Sequence, residues 1–310
     1  MTMIDGAAPG GSVRLTPTPA WLSPASYWQP AHVVTSAWLE HAPFAFWLVD
    51  AVRPRSVVEL GTHHGFSCFV FAEAVKRLGL DADIHALDTW AGDDQAGFYG
   101  EEVYASVRAI VESDYPGRVH LLRGWFADSR PAIGDGTVDL LHIDGRHGYD
   151  DVREDFEEWI TVVREGGIVL FHDIEERENG FGVWRLWEEL AAEHPSFAFT
   201  HGHGLGIIGV GAVESDAVRE LFAADAATRA RIRAQYEALG AVVSRQAALE
   251  AMPAEIESLH ALVASLDDQV SRLRDEVRQG EDVVSDYRQS TSWRITRPLR
   301  AIGGMLHRDR

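Results

Sequence analysis

The sequence predicts an α/β fold, a doubly wound, mostly parallel, seven-stranded Rossmann-like sheet followed by a long helical coiled-coil tail. Short apolar runs alternate with stretches of helical periodicity between residues 56 and 192. Two further apolar segments, at 198–201 and 205–210, lie close enough in the chain to form a closing antiparallel pair. After Gly211 proline and glycine become scarce, and Ala, Glu and Arg dominate. Strands separated by helices imply a sheet covered by helices on its faces. The Ala-, Glu- and Arg-rich residues after Gly211 imply a helical extension.

The composition limits the class of protein. Of the 310 residues 46% are hydrophobic and ten are Trp, which excludes global disorder. The formal net charge of −20 argues against general nucleic-acid binding, which needs Lys and Arg to neutralise phosphates. The single cysteine, Cys68, excludes an internal disulfide framework and a cysteine-rich metal site. Residues 1–11 lack the pattern of a secretory signal and no apolar run approaches ~20 residues, so we expect a cytoplasmic protein, or one peripheral at the inner face of the membrane.

The first part of the chain is predicted to be a flexible arm. Residues 1–30 are rich in Pro, Gly, Ser and Thr, with Trp21, Tyr27 and Trp28 as candidate docking points. The main domain is expected over residues 31–212. It opens with helical material, which Pro43 breaks or restarts because proline cannot occupy a helix interior without cost.

The alternation then continues in order through the domain. The predicted strands, before the closing pair, are 56–60, 83–87, 119–122, 138–143 and 167–171. The predicted helices between and after them are 67–78, 101–113, 150–163 and 183–192. Parallel strands joined by helices bring their carboxyl ends to one edge of the sheet, where α/β proteins bind ligands.

A glycine turn follows the first strand at that edge. Glu59 and Gly61 are followed by a second glycine, Gly65, and by Ser67, where a helix begins. The dinucleotide fingerprint needs a glycine in the middle of this turn so that the backbone can approach a pyrophosphate, but His63 stands there. A ligand without a pyrophosphate, such as S-adenosyl-L-methionine (SAM), has no such need. The alternative is an ordinary strand–helix turn. The candidate SAM-binding residues here are Glu59, Gly61, Thr62, His63, Gly65 and Ser67.

The next two strand ends supply further candidates for the nucleoside. Asp88 ends the second strand and is placed to accept hydrogen bonds from ribose hydroxyls, with a helix N-cap as the alternative. Thr89 and Trp90 follow it, and Trp90 offers a flat apolar face. After the third strand the backbone of this edge could line an adenine, although the aromatic residues could equally belong to the core. These residues are Gly124, Trp125 and Phe126.

Strands four and five both end in acids. Asp144 and Asp173 occupy these ends, with His147 and His172 close by in the chain. Hard cations such as Mg²⁺ are commonly held by one or two carboxylates with substrate oxygens, so Asp144, Asp173 and His147 are candidate metal ligands. A cation there could lower the pKa of a hydroxyl, and His147 or His172 could act as the general base, with Asp144 as a catalytic partner. The alternative is that both acids cap helices and both histidines satisfy backbone groups.

The tail divides into three predicted parts. Residues 213–252 are expected to be a helical linker, and 253–287 a coiled coil that begins at Pro253. Its apolar residues repeat at three and four, with β-branched residues at a and Leu at most d positions, which favours a parallel homodimer over a helix folded back on the domain. Residues 288–310 hold six Arg and one Asp, a basic segment that could contact an anionic membrane surface or a glycosyltransferase, or stay solvated.

Residues from about 55 to 210 resemble class I SAM-dependent methyltransferases, in particular the small-molecule and sugar O-methyltransferase branch. The run Glu-Leu-Gly-Thr-His-His-Gly-Phe-Ser at 59–67 is similar to the first motif of that branch. The segments 88–93 and 97–100 resemble bacterial members of polysaccharide biosynthesis, and 290–300 resembles a tail of bacterial surface-glycan enzymes. The resemblance implies that Glu59, Gly61 and Asp88 contact SAM and that Asp144 and Asp173 bind a metal.

One departure from the family pattern affects the metal site. The usual third ligand just after the strand-five acid is replaced by Ile174, which leaves His147, His172 or Glu175 to complete the ligand set. The sequence therefore predicts methyl transfer from SAM to a hydroxyl of a sugar, a glycosylated small molecule or a surface glycan, with divalent-metal assistance. The alternatives are an inactive nucleotide-binding scaffold in a glycan-biosynthesis assembly and an NAD-dependent oxidoreductase, against which His63 argues.

Overall fold

The computed structural model describes residues 18–93 and 97–300. The chain divides after Ala247 into two compact units. The first contains the sheet and the helices packed on it, and the second contains the later part of a long helix and the segment that follows it. Parts of the predicted arm and of the predicted basic tail, residues 1–17 and 301–310, lie outside the described residues.

Residues 18–30 pack against the first unit, although their composition predicts a flexible arm. A 3₁₀ helix at Pro24–Tyr27 begins at Ser23, which caps it through reciprocal side-chain hydrogen bonds with Ser26. Ala25 and Ser26 are buried, and the Trp21 indole N–H donates to Gln235 Oε1 at 2.8 Å. The prediction was wrong for these residues because capping and apolar burial outweigh the loop-forming tendency of Pro and Ser.

The secondary structure of the first unit follows the predicted alternation. A 3₁₀ helix at Leu39–His41 leads into α1, and Pro43 lies in the first turn of α1, where its missing N–H costs nothing. The elements in order are α1 Ala42–Val52, β1 Ser56–Leu60, α2 Phe66–Arg77, β2 Asp83–Asp88, β3 Gly92–Asp93, β4 Gly97–Phe98, α3 Glu101–Asp114, β5 Val119–Arg123, α4 Phe126–Ser129, β6 Val138–Ile143, α5 Tyr149–Trp159, β7 Val163–His172, α6 Val183–Glu193, β8 Ser196–Phe199, β9 Leu205–Gly209 and α7 Asp216–Ala223.

Seven of these strands form one mixed sheet in the order β5-β2-β1-β6-β7-β9-β8, which confirms the predicted fold class. All neighbours from β5 to β7 are parallel, and β9 runs antiparallel to both β7 and β8. The strand order reverses between β1 and β6, and such a switch point opens a crevice at the carboxyl ends of the strands.

The core lies on both faces of the sheet because successive strand residues point to opposite sides. Val57 packs in a cluster with α1, α2, α3 and α7, whereas its neighbour Val58 packs in a second cluster with α5 and α6. Glu59 pairs in register with His142 of β6 and Ala86 of β2. This register directs the side chains of Glu59 and His142 to the same side as Val57, away from α5.

The long helix α8 spans Ala226–Gln289 and contains Pro253 in its interior. Pro253, where the coiled coil is predicted to begin, therefore lies inside a continuous helix, and the start of the coiled coil there stays a prediction. The first part of α8 is core rather than linker: Ile232, Tyr236 and Val243 are buried, and the Tyr236 hydroxyl donates to the Trp21 carbonyl at 2.6 Å.

The second unit contains the rest of α8 and the short helix α9, Thr291–Ile295. The apolar residues of α8 in this unit are exposed in the single chain. None of the described helices is long and apolar enough to cross a membrane.

Candidate cofactor and acceptor site

A cavity of about 840 Å³ opens at the carboxyl ends of β1, β2, β5, β6 and β7. Its wall includes residues from the turn or loop that follows each of these strands. The volume lies within the range of ~300–1,000 Å³ typical of small-molecule sites. The switch point between β1 and β6 thus places the predicted cofactor turn and the predicted acidic cluster in one wall.

Gly61 lets the first turn pass directly over the end of β6. Its φ is +92°, and a Cβ atom there would lie 1.9 Å from the carbonyl oxygen of Asp144. The Gly61 N–H donates to the Leu87 carbonyl at 2.9 Å, and the Asp144 N–H donates to the Leu60 carbonyl at 2.8 Å. Only glycine fits this contact, which fixes the turn after β1 against the loop that carries Asp144.

Asp88 organises the second strand end. Its carboxylate accepts the backbone N–H of His63 at 2.7 Å and that of Trp90 at 2.6 Å, and the Tyr99 hydroxyl lies 3.4 Å from both oxygens. No helix in the described chain begins at Asp88, so the helix N-cap alternative does not apply. The carboxylate joins the turns after β1 and β2 and also lines the cavity, so its remaining lone pairs can receive ribose hydroxyls.

Most of the predicted cofactor residues line the cavity, but three lie outside its wall. Those in the wall are Gly61, Thr62, His63, Gly65, Ser67, Asp88, Thr89, Trp125 and Phe126. Glu59 is fully buried beneath the wall, where it accepts the Ser67 hydroxyl at 2.5 Å and His142 Nδ1 at 3.1 Å. Glu59 therefore faces Ser67 and His142 rather than the cavity, and its predicted direct contact with SAM is not supported by this geometry.

Trp90 and Gly124 are the other two predicted residues outside the wall. Trp90 is 1% exposed, and its indole N–H donates to the His63 carbonyl at 2.9 Å, so it holds the first turn instead of offering a face to the nucleoside. Gly124 donates its N–H to the Asp88 carbonyl at 3.0 Å. Trp125, the next residue, is 64% exposed and lies in the wall.

Asp144, His147 and Asp173 form the acidic cluster at the ends of β6 and β7. Their candidate ligand atoms lie within 4.8 Å of one another. His147 Nε2 is 2.9 Å from Asp173 Oδ2 and 3.7 Å from Asp144 Oδ1. The His147 ring stacks on Phe181 with centroids 4.5 Å apart, which fixes the plane of the imidazole. Two carboxylates and one imidazole nitrogen converging on one point suit a divalent cation.

The charges of the cluster shift the pKa of each member. Burial alone would raise the pKa of Asp144, but the neighbouring His172 and His147 outweigh it and hold that pKa well below its ordinary value. Burial alone would lower the pKa of His147, but hydrogen bonds and charges from Asp144 and Asp173 raise it to about 9. Without a cation, His147 is therefore protonated at neutral pH.

His172 is buried, and both of its nitrogens face acceptors. Nδ1 lies 3.2 Å from Asp144 Oδ1 and 3.4 Å from Asp173 Oδ1, while Nε2 donates to the Gly202 carbonyl at 3.1 Å. Burial opposes the charged form, but the two carboxylates raise the pKa of His172 well above its ordinary value. An imidazole that donates from both nitrogens cannot take up another proton, so the prediction of His172 as a general base is not supported by this geometry.

The sequence did not reveal several residues of this region. His41, ahead of α1, donates from Nε2 to the same Gly202 carbonyl at 2.8 Å. Trp38 lies in the wall although it precedes every predicted element of the sheet. An acidic face of α5 also lines the cavity; its members are Asp151, Glu154, Asp155 and Glu158. Their helical spacing was visible in the sequence, but nothing in it showed which face of α5 turns toward the cavity.

The structure shows where Ile174 and the three residues predicted as a third metal ligand lie. Ile174 is 2% exposed and packs in the core cluster with α5 and α6, so it cannot contribute to a cation site. Glu175 is absent from the cavity wall, whereas Glu176 lines it and accepts His203 Nδ1 at 2.5 Å. Of the three candidates for the third ligand, only His147 joins both acids in a set with suitable spacing.

Comparison with known proteins finds similarity to part of this chain. A protein of Sinorhizobium fredii (strain NBRC 101917 / NGR234), "Uncharacterized protein y4gI", is 54% identical over 173 residues, which are 56% of this chain and 19% of that protein. The "O-methyltransferase ankF" of Aspergillus thermomutatus is 25% identical over 138 residues, which are 43% of this chain and 51% of that protein. The chain thus spans about a fifth and about half of the lengths of these two relatives.

A solved O-methyltransferase from Bacillus cereus, in complex with S-adenosylhomocysteine (SAH), aligns with 58% of this chain and 84% of its own length, at 22% identity and a TM-score of 0.44. A family model described as a methyltransferase domain matches residues 58–174. The matched segment runs from β1 to the loop after β7, and it therefore contains the first turn, Asp88 and the acidic cluster.

Proposed function

We propose that this chain transfers a methyl group from SAM to a hydroxyl group. The observation that carries the proposal is one cavity whose wall combines the turn at 61–67 and Asp88 with Asp144, His147 and Asp173. The match of residues 58–174 to a methyltransferase-domain model supports the donor, and the name of the Aspergillus relative supports oxygen as the methylated atom.

The proposed position of SAM follows from the chemistry of the wall. The methionine part occupies the turn around Gly61 and Gly65, where backbone groups and the Ser67 hydroxyl are available for hydrogen bonds. The ribose hydroxyls donate to Asp88, and the adenine lies against Trp125 and Phe126. The acidic wall favours a cofactor whose sulfonium is positively charged.

The acidic cluster is proposed to hold a divalent cation such as Mg²⁺ and the acceptor. Asp144 and Asp173 supply the carboxylates, and His147 supplies the position that Ile174 leaves vacant relative to the family pattern. When bound, such a cation would hold two neighbouring hydroxyl oxygens and lower the pKa of the reacting one. The buried His172 keeps both carboxylates in place through its Nδ1–H.

The transfer itself is an in-line displacement. The acceptor oxygen forms a bond to the methyl carbon while the bond from that carbon to sulfur breaks, and SAH leaves as the neutral thioether. The hydroxyl proton moves to a base, and His147 is our candidate because its Nε2 lies in the cluster, whereas both nitrogens of His172 are donors. In this role a cation held by Asp144 and Asp173 would offset the two negative charges that raise the pKa of His147 to about 9, and would so leave Nε2 unprotonated. Nε2 cannot bind a cation and accept the proton in the same state, so its two proposed roles are alternatives.

The acceptor is proposed to be a sugar, a glycosylated small molecule or a surface glycan. Carboxylates of α5 and Asn179 provide acceptors and donors for hydroxyl groups across the cavity. Phe98 and Trp125, which are 79% and 64% exposed, supply aromatic surfaces in the same wall for the apolar faces of a sugar ring.

The direct test is mass spectrometry of deoxysugar conjugates incubated with SAM and the full chain, with and without EDTA. We expect a gain of one methyl group on a hydroxyl, and loss of that product with EDTA. Asp173→Ala should lower turnover by at least about 100-fold while changing SAM affinity less than about threefold. Glu112→Gln, which removes an exposed carboxylate of α3, is the control and should retain activity.

Two outcomes would contradict the proposal. If Asp144→Ala and Asp173→Ala both lost SAM affinity as severely as Asp88→Ala, the acids would belong to the cofactor site. If SAM bound without methylation of any conjugate in the presence of Mg²⁺, the scaffold alternative would be favoured.

A further inference from the structure

The part of α8 in the second unit carries an apolar stripe, which we call the seam. Its members recur at spacings of three and four, with one step of seven across Gly280, and each is between 43% and 63% exposed. They are Leu249, Met252, Ile256, Leu259, Val263, Leu266, Val270, Leu273, Val277, Val284 and Tyr287. Only Leu262 and Val283 among the exposed large apolar side chains of this described helix segment lie off the seam. The apolar surface is thus confined to one stripe of 3.5-residue period, which is the stripe that another helix covers.

The residue types of the seam select the kind of partner helix. In heptad notation the a positions from Ile256 to Val284 are all β-branched, and the d positions at 259, 266 and 273 are all Leu. This combination favours two parallel strands over trimers or tetramers. Leu249 and Met252 continue the same a and d positions ahead of Pro253, so the seam extends over more than five heptads, beyond the three to four that indicate a coiled coil.

The area that pairing would cover is sufficient for a stable interface. Covering the exposed half of each seam side chain removes about 50 Å² of apolar surface, because full burial of such a side chain removes roughly 100 Å². The seams of two copies together then remove roughly 1,000 Å². The flanking residues add to this, which brings the total near the ~1,200–2,000 Å² of specific interfaces.

We infer that the seam pairs with the seam of a second copy of this chain in a parallel, in-register, two-stranded coiled coil. The heptad around Gly280 is its weakest part. Gly280 occupies a d position without a side chain to fill the opposing hole, and a Cβ there would meet nothing within 4 Å in the single chain. In this arrangement Glu276 at g also faces Glu281 of the partner subunit at e, so two like charges flank the gap.

Cysteine cross-linking of the full chain tests the pairing and its direction. The native Cys68 is fully buried, so an introduced cysteine is the accessible thiol among the described residues. Leu259→Cys and Val277→Cys, each ten residues from one end of the seam, should each form a covalent dimer on mild oxidation. When differently tagged Leu259→Cys and Val277→Cys chains are mixed and allowed to exchange subunits, each variant should cross-link only to another copy of the same variant.

A monomer in sedimentation equilibrium at micromolar concentration would overturn the inference. Mixed cross-links between residues 259 and 277 would overturn it as well, because they require an antiparallel pair. Glu281→Lys provides a second readout, since it places a Lys opposite Glu276 in the parallel dimer alone and should tighten dimerisation roughly tenfold. Glu257→Lys, the same charge change at an outward b position, is the control and should change the dimer affinity little.

This inference is independent of the proposed methyl transfer. The cross-links report on the second unit, whereas turnover and SAM binding report on the cavity of the first. Dimerisation without methyl transfer would support the coiled coil and count against the proposed function. Methyl transfer by a monomer would support the proposed function and count against the coiled coil.

Discussion

At the scale of single residues, Gly61 connects the two halves of the proposed site. Its missing side chain lets the turn after β1 lie on the backbone of Asp144, so the cofactor turn and the acidic cluster share one fixed wall. The sequence predicted the glycine turn because its spacing is visible in the chain. It could not predict the contact with Asp144, because the register that creates it joins strands about 80 residues apart.

The sequence also identified the acids and histidines without revealing how each one is oriented. Glu59 and Asp88 both end or nearly end a strand and lie on the same face of the sheet, because Glu59 pairs with Ala86, two residues before Asp88. Glu59 lies one residue before the end of β1 and is fully buried, whereas Asp88 is the last residue of β2 and reaches the cavity. His172 is similar: it lies at the end of β7, one residue beyond the predicted strand, but the Gly202 carbonyl that accepts from its second nitrogen comes from a loop 30 residues away. Such partners follow from tertiary structure, which local patterns do not encode.

Asp155 gives a prediction for the pH dependence of stability. Burial and the neighbouring acids Asp151, Glu154 and Glu158 raise its pKa to about 7, whereas an unfolded Asp titrates near ~3.9. Between these values the native state keeps a proton that the unfolded state has lost, so Asp155 makes the protein less stable as pH rises toward 7. Asp155→Asn should therefore stabilise the folded protein at pH 8 by about 1 kcal/mol, after allowance for screening at the open cavity. The midpoint of thermal unfolding should rise by roughly 2–4 °C.

Thermal unfolding followed by circular dichroism between pH 4 and pH 8 measures this effect. The difference between Asp155→Asn and the original chain should shrink toward zero at pH 4. Asp150→Asn removes the same charge from an exposed position of α5 and is the control. An equal gain in both variants, or a gain for Asp155→Asn that is independent of pH, would contradict the assignment to the buried carboxyl.

At the scale of elements, the first strands of the sheet were predicted nearly to the residue: β1 and β6 match the predicted bounds, and β2 and β5 are one residue longer. β7 begins four residues ahead of its predicted start, β8 lies two residues earlier than predicted, and the short strands β3 and β4 were not predicted. The predicted strands are mostly apolar segments bounded by polar turns, because both faces of the central sheet are buried. The helices α2, α3 and α6 were predicted within one residue or two for the corresponding reason, an apolar face of helical period. The predicted boundary at Pro253 coincides with no break in α8, because the helical pattern continues on both sides of this residue.

Substitution by Ala should have opposite effects on stability at two glycines of α8. A Cβ on Gly240 would lie 2.3 Å from the Glu40 carbonyl oxygen, so Gly240→Ala should destabilise the first unit by about 1–3 kcal/mol through overpacking. A Cβ on Gly280 would meet nothing within 4 Å, so Gly280→Ala should stabilise the helix by up to about 1 kcal/mol through helix propensity alone.

Urea unfolding followed by circular dichroism distinguishes these outcomes. Only Gly240→Ala should lower the midpoint of the first unit, because the early part of α8 packs there and Ser244 also donates to Glu40 Oε1 at 3.0 Å. If Gly240→Ala were as stable as the original chain, α8 would not dock on the segment before α1 as described.

At the scale of the whole molecule, the first unit supplies the cavity and the second supplies the seam. The predicted fold class was confirmed because composition, periodicity and turn chemistry all indicate the same architecture. The packing of residues 18–30 and of early α8 on the core was not predicted, since it depends on contacts such as that of Trp21 with Gln235, more than 200 residues apart. The substrate side was the least predictable part, because its wall is built by loops whose sequence follows no periodic rule.

The most direct test of the central claim is a crystal structure of the full chain with bound SAH. We expect the ribose at Asp88, the adenine beside Trp125, and the sulfur facing Asp144, His147 and Asp173 across the same cavity. A nucleoside bound outside this cavity, or a sulfur directed away from the acidic cluster, would contradict the proposal that this chain methylates a hydroxyl held there.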